Sequence, residues 1–240
     1  MPKKVDICFS PELLPLYDLC GKVAVIVDIL RATSTIITAL GEGISHVFPV
    51  VSLEECTALG QEQGCLTAAE RDGLPAVGFD LGNSPFGFLE PGQPLRGRAL
   101  AISTTNGTTA LRRSLAAETV VVGAFLNLAA VVDFTQQQQR DVLVVCAGWK
   151  GQFCLEDTVF GGALAERLAT DFDVLGSDAT LAALHLWRQA KANLPAYLLQ
   201  SSHVRRLNSL EASQDFEFCM QLDTYADVLP VWRHDRWVRQ

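Results

Sequence analysis

Three stretches of this chain share one pattern. "KVAVIVDI" (22–29), "GRALAIS" (97–103) and "DVLVVCA" (141–147) are near-continuous apolar runs rich in β-branched residues. Each gives way to apolar positions at helical spacing: through about residue 42 after the first, "TTNGTTALRRSLA" after the second, and "GWKGQFCLEDTVFGGALAERLA" after the third. A run that is apolar at nearly every position, rather than at alternate ones, predicts a strand covered on both faces. Shorter runs at 46–51 and 119–123 predict two more strands, and helices are predicted near 53–63, 125–138, 177–193 and 213–222. The expected class is α/β, a three-layer α/β/α arrangement with a largely parallel or mixed central sheet. There is no internal repeat or long linker, and "QQQQ" (136–139) reads as a helix end or loop.

In such sheets ligands gather beyond the carboxyl ends of strands, near helix N-termini. The polar residues of this chain cluster at such places. Asp28 ends the first apolar run, and Arg31, Thr33, Ser34 and Thr35 follow at once. A carboxylate there either caps the next helix or serves as a Mg²⁺ ligand or nucleophile, with Arg31 gripping a phosphate through its planar fork. The second cluster, "STTNGTT" (103–109), places Thr104, Thr105, Asn106, Gly107 and Thr108 where a strand turns into a helix. Small residues let backbone amides approach an anion; the alternative is an ordinary turn with an N-cap. No G-x-x-x-x-G-K-[ST] phosphate loop is present.

The third cluster, "AGWKGQFCLEDT" (147–158), ends in Glu156 and Asp157. Acids are favoured at a helix start by the macrodipole, and adjacent carboxylates also suit a hard divalent cation. Lys150 is either an anion contact or a solvated surface group. The fourth, "AERDGLPAVGFDLGNSP" (69–85), holds Glu70, Arg71, Asp80, Asn83 and Ser84 in what reads as a long polar loop, either a surface connection or a functional one. "CLTAAER" (65–71) has the C-x5-R spacing of cysteine phosphatases, but Glu70 would set a carboxylate beside the bound dianion, so Cys65 is not the expected nucleophile. "DILRAT" lacks the second Asp of the D-x-D-x-[TV] phosphatases. His203 is either a proton donor to a leaving group or a structural hydrogen-bonding residue, and Asp215 and Asp223 read as solvated acids on a helix.

Composition narrows the partners. A length of 240 residues suits one large domain, with core enough to dispense with disulfides. The net charge of −8 argues against nucleic-acid and membrane-surface partners, while leaving room for a local cationic pocket that takes a small anion. The N-terminal stretch lacks the apolar segment of a signal peptide, and no apolar run approaches the roughly 20 residues of a membrane span, so the cytoplasm is the expected compartment. Seven dispersed cysteines with no C-x-x-C pair resemble neither a disulfide framework nor a zinc site. A homo-oligomer stays open.

Taken in order, "DILRATST", "ERDG…GFDLGNSP", "STTNGT" and "CAGWKGQFCLEDT" resemble the 2-phosphosulfolactate phosphatase family over about residues 5–230, and the late "SSH…L…D" pattern agrees. The resemblance implies a single α/β/α phosphatase domain with Mg²⁺ as cofactor. It implies hydrolysis of a small anionic phosphorylated substrate, 2-phospho-3-sulfolactate, to 3-sulfolactate and phosphate, a step in coenzyme M biosynthesis. Carried over residue by residue, the catalytic set is Asp28, Arg31, Glu70 and Arg71. Thr33, Ser34, Asn83, Ser84, Thr104, Thr105, Asn106, Gly107 and Thr108 are implied for phosphate or substrate, and Asp28, Glu156 and Asp157 for the metal. The chain departs from the family pattern at "AAER", where Gly is expected before Glu-Arg, and at "NSPFGF", which lacks an acidic residue after "NSP". Cys154 stands where Ser is commoner, which argues against a required thiol nucleophile. The alternatives are a phosphatase of the same fold for another small phosphorylated acid, and a non-catalytic anion receptor. The acids at 28, 70, 156 and 157 count against the receptor.

Overall fold

The apolar runs become the middle of one sheet. The computed structural model describes residues 2–71, 73–90, 94–104, 106–208 and 213–240. Its strands are β1 (Lys3–Cys8), β2 (Val23–Val27), β3 (His46–Val50), β4 (Leu66–Arg71), β5 (Leu74–Pro75), β6 (Ala99–Ser103), β7 (Thr119–Gly123), β8 (Val142–Cys146), β9 (Phe172–Asp173), β10 (Pro230–Arg233) and β11 (Arg236–Arg239). The helices are α1 (Ala32–Gly41), α2 (Leu53–Gln63), α3 (Gly107–Ser114), α4 (Leu128–Gln138), α5 (Leu155–Leu168), α6 (Asp178–Ala190), α7 (Leu194–Leu198), α8 (Ser202–Asn208) and α9 (Ser213–Cys219). The predicted strands and helices all form, and the "QQQQ" patch is a helix end, with Gln139 closing α4 in the left-handed conformation at φ 48°.

The strand order is β5-β4-β6-β3-β11-β10-β7-β2-β8-β1-β9. Two parallel blocks, β4-β6-β3 and β7-β2-β8-β1, flank the antiparallel hairpin β10–β11, whose strands run antiparallel to β7 and β3. The sheet is therefore mixed. Helices cover both faces of it. A Cβ on Gly123 would lie 2.8 Å from both Val25 and Phe160, so Val25 faces α5. Its neighbour Ile26 points the other way, into a small apolar space shared with Leu111 of α3. All five residues of β2 and of β8 are buried, which is why neither run alternates in polarity.

Three elements depart from the sequence expectation. The segment read as a long polar loop begins with β4, which pairs in parallel with β6 from Leu66↔Leu100 to Ala69↔Ser103. Its two alanines carry little strand propensity, so pairing and the cover of α2 decide the outcome. The polar run "KKVDIC" forms β1 by pairing with β8. The C-terminal hairpin turns through His234 and Asp235, both at positive φ (49° and 61°), without the Asn-Gly or Asp-Gly signal of a two-residue loop. Trp232 and Trp237 pair across it edge to face, with ring centroids 5.1 Å apart. No helix among the described residues is long and apolar enough to cross a membrane.

Candidate active site

Helices α1, α3 and α5 begin just beyond the carboxyl ends of β2, β6 and β8. Although β6 lies five places from β2 in the sheet, α3 crosses back to pack on β2 and β8. The helix starts therefore converge around one cavity of about 280 Å³. Asp28, Arg31, Glu70, Asn83, Thr104, Asn106, Lys150 and His203, all named from the sequence, line it together with Leu30, Gly73, Trp149, Arg206 and Leu207.

Asp28 follows β2 directly and is buried. Its backbone is latched by Thr33, whose Oγ1 accepts from Asp28 N at 3.0 Å and donates to Asp28 O at 2.8 Å. The Ser34 hydroxyl donates to Ile29 O at 2.9 Å. These two hydroxyls, expected on a phosphate, instead hold the turn that presents Asp28. Among the described residues its carboxylate receives one long bond, 3.4 Å, from Ala32 N. A Cβ on Gly107 would sit 3.4 Å from Asp28 Oδ2, so the start of α3 lies against the carboxylate. Burial raises the Asp28 pKa from 3.8 to about 6; His203 and the Ala32 amide pull it down, while Glu70 and Glu156 add to the rise.

Asp157, in the first turn of α5, is buried as well. Its Oδ1 accepts from Ile29 N at 2.9 Å and its Oδ2 from Gly148 N at 3.1 Å, so it ties the end of β2 to the loop after β8. Burial, then the charges of Glu156 and Asp28, push its pKa well up. Glu156 Oε1 meets His203 Nδ1 at 2.6 Å, whereas Glu156 Oε2 is buried without a hydrogen-bond partner among the described residues. Cys154 Sγ lies 3.8 Å from the same ring nitrogen. Among the described residues, Cys154, Glu156 and His203 form the one group that brings a ligand atom from each within 4.8 Å of the others; Asp28, Glu156 and Asp157 do not gather so tightly. The Glu156 oxygen without a partner and the buried Asp28, with one long hydrogen bond among the described residues, still fit a hard cation, which takes carboxylate oxygens. Asp28 and Glu156 are thus the groups that could hold Mg²⁺. Asp157 has backbone amides on both oxygens and positions its neighbours.

Arg31 lines the cavity but is already engaged. It forms a buried ion pair with Asp215, and its second terminal nitrogen donates to Gly73 O at 2.8 Å. Ser84 Oγ donates to the other Asp215 oxygen at 2.6 Å, so Asp215 is a buried anchor and not the solvated acid its helical setting suggested. Arg71 turns away from the cavity to Ser103 Oγ (3.1 Å) and to its neighbour's carbonyl, Glu70 O (2.6 Å). Asn83 keeps a buried Oδ1 without a hydrogen-bond partner among the described residues. Asn106 Oδ1 accepts from Lys150 N at 3.2 Å, and Thr108 packs behind Thr104, their hydroxyls 3.4 Å apart. Thr105 lies outside the described residues. Cys65 is buried and lines no part of the cavity, and burial raises its pKa. Asp223 pairs with Arg167 and caps Ala129 N, away from the site.

Five lining residues escaped the sequence reading, and two of them carry an aromatic ring or a charge. Trp149 sits in the Gly-flanked turn Gly148–Gly151, a visible signal in itself. Arg206 comes from α8, on a segment whose spacing gave no hint that it would fold back over the cavity.

A family model described as 2-phosphosulpholactate phosphatase matches residues 8–235. A probable 2-phosphosulfolactate phosphatase of Cyanothece sp. is 38% identical over 237 residues, covering 95% of this chain and 96% of its own. One from Nostoc punctiforme is 39% identical, covering 95% of each chain. One from Caldanaerobacter subterraneus is 36% identical over 216 residues, covering 89% of this chain and 88% of its own.

Proposed function

The chain belongs to the 2-phosphosulfolactate phosphatase family, and from that premise we propose that it hydrolyses 2-phospho-3-sulfolactate to 3-sulfolactate and phosphate with Mg²⁺ as cofactor. The observation that carries this reading is the desolvated Asp28 carboxylate at the meeting point of helix starts, in a cavity that also bears Lys150 and Arg206. A carboxylate beside anion-binding groups makes sense where a cation joins it to a phosphoryl group. Asp28 and Glu156 would hold that cation. When bound, Mg²⁺ would neutralise charge that develops on the phosphoryl oxygens.

The protein's own groups supply the rest. Backbone amides at the start of α3 face the phosphoryl group, which the helix dipole favours. Thr104 and Asn106 add side-chain hydrogen bonds from the cavity wall. With Nδ1 held by Glu156, the ring nitrogen of His203 left for the cavity is Nε2, which donates a proton to the departing alkoxide. Leu30 and Leu207 supply an apolar part of the cavity wall.

The test is phosphate release by purified protein with Mg²⁺ or with EDTA, on 2-phosphosulfolactate, phospholactate, phosphoglycolate and 3-phosphoglycerate. Turnover that EDTA stops and that is fastest on 2-phosphosulfolactate supports the reading. Faster turnover on another acid keeps the chemistry and removes the substrate. Silence across the panel from folded, Mg²⁺-loaded protein removes both.

A further inference from the structure

Three side chains of different chemistry meet at the start of α5. Cys154 is the N-cap residue of that helix, Glu156 lies in its first turn, and His203 reaches them from α8. Cys154 Sγ and Glu156 Oε1 approach one and the same atom, His203 Nδ1, at 3.8 and 2.6 Å. The Glu156 side chain is buried, and its second oxygen has no hydrogen-bond partner among the described residues. The proposed phosphoryl chemistry has no use for a sulfur at this place, since Mg²⁺ takes oxygen ligands.

We propose that Cys154, Glu156 and His203 form a site for a thiophilic divalent cation of the Zn²⁺ type, and that its occupation shuts off turnover. The site stands independently of the activity proposed above; the inhibition rests on that activity. A thiolate, an imidazole and a carboxylate are a donor set for Zn²⁺, and the sulfur sets it apart from a site for Mg²⁺. Zn–S and Zn–N bonds of about 2.3 and 2.0 Å at a tetrahedral angle put sulfur and nitrogen about 3.6 Å apart. Cys154 and His203 already stand close to that, at 3.8 Å. The Glu156 contact of 2.6 Å would open by about 0.8 Å as the cation replaces the proton between oxygen and nitrogen. Three protein ligands leave a fourth position for water, and His203 lines the cavity, which gives a cation its way in. Burial and the charges of Asp157, Glu156 and Asp28 favour the protonated thiol when no cation is bound. Binding releases that proton, and any on Nδ1, to water.

Occupation removes two parts of the proposed mechanism. With Nδ1 on a metal, the ring is no longer the acid that gives a proton from Nε2 and keeps one on Nδ1. Glu156 is at the same time withdrawn from the Mg²⁺ that it would hold with Asp28.

The experiment adds Co²⁺ or Zn²⁺ to the full chain, freed of metal with EDTA, as wild type, Cys154→Ser and Cys20→Ser. Cys20 is exposed and serves as the control thiol. One equivalent of Co²⁺ should give wild type and Cys20→Ser a thiolate-to-metal band in the near ultraviolet, which Zn²⁺ displaces and Cys154→Ser lacks. Zn²⁺ affinity, read by competition with a chelating dye, should fall at least about 100-fold in Cys154→Ser, the upper end of what losing an outer-shell partner costs. Zn²⁺ should also stop Mg²⁺-supported phosphate release from 2-phosphosulfolactate by wild type. Cys154→Ser should keep its turnover with Mg²⁺ and need correspondingly more Zn²⁺ to lose it. A wild type without the band overturns the site, as does a Cys154→Ser variant that melts like wild type and keeps it. Zinc-edge absorption of the wild type needs no variant: one sulfur at about 2.3 Å is expected, and a shell of oxygen and nitrogen alone overturns the site. Bound Zn²⁺ that leaves turnover intact, or sustains it without Mg²⁺, overturns the inhibition. The band without turnover on any substrate leaves the site standing and removes the activity; turnover without the band does the reverse.

Discussion

Glu156 Oε1 and His203 Nδ1 lie 2.6 Å apart, joining the first turn of α5 to α8 across the wall of the cavity. A carboxylate that holds one ring nitrogen orients the other, which is the usual way a histidine is aimed at a reacting atom. His203→Gln should therefore lower kcat by about 100-fold, within the range for loss of a general acid, and change KM much less. Steady-state kinetics on 2-phosphosulfolactate decide this, and an unchanged kcat would leave His203 a structural role only.

Asp28 links function to stability through its charge. Its carboxyl keeps the proton up to about pH 6 in the fold but releases it near 3.8 when unfolded. Between these values the native state holds the extra proton, so the stability contributed by this group is present below the window and is lost as pH rises through it. A shift from 3.8 to about 6 corresponds to on the order of 3 kcal/mol. Asp28→Asn should abolish turnover yet melt above wild type at pH 7 in EDTA, with the gap closing toward pH 4. Thermal melts across that range are the check, and a variant less stable than wild type at pH 7 would contradict the assigned cause.

The buried pair of Arg31 with Asp215 predicts a different signature. Removing one partner strands the other charge, so Asp215→Asn should cost about 3–5 kcal/mol in urea unfolding. Arg31→Lys should also destabilise, because a point charge cannot serve both Asp215 and Gly73 O as the fork does. A loss below 1 kcal/mol in both variants would show that water reaches the pair.

Close helix packing sets a fourth expectation. A Cβ on Gly162 of α5 would lie 2.1 Å from the Ala183 carbonyl oxygen of α6. Gly162→Ala must push these helices apart and should cost about 1–3 kcal/mol or more. Chemical denaturation measures it, and a neutral result would mean that the α5–α6 contact yields easily.

The C-terminal hairpin can be improved. His234 and Asp235 occupy the left-handed region, which disfavours L side chains, whereas Asn-Gly suits such a turn. The double change His234→Asn with Asp235→Gly should raise stability by about 1 kcal/mol without altering kcat/KM, since neither residue lines the active cavity. An unchanged or lowered melting temperature would count against this turn type.

Much of the site was legible locally. Asp28 was recognisable because an apolar run breaks on a carboxylate just before a helix, and Thr104 and Asn106 because small polar residues sit where β6 gives way to α3. The hydroxyls of Thr33 and Ser34 were harder to assign, since a hydroxyl that binds phosphate and one that latches a turn have the same sequence signature. Asp215 and Arg206 were not legible as site residues. Each lies in a helix of seven residues near the end of the chain, and what each meets depends on where that helix docks.

The sequence alone determined the alternation of strands and helices, the burial of the central strands and the convergence of polar groups at their carboxyl ends, because these follow from periodicities and residue types within a dozen positions. Tertiary structure decided the rest: the hairpin of β10 and β11 between two parallel blocks, the pairing of Arg31 with Asp215, and the arrival of His203 and Arg206 at the cavity wall. Those depend on contacts between residues far apart in the chain, 190 positions in the case of His46 and Arg236 beside the hairpin. Their energy comes from geometry that no local pattern encodes.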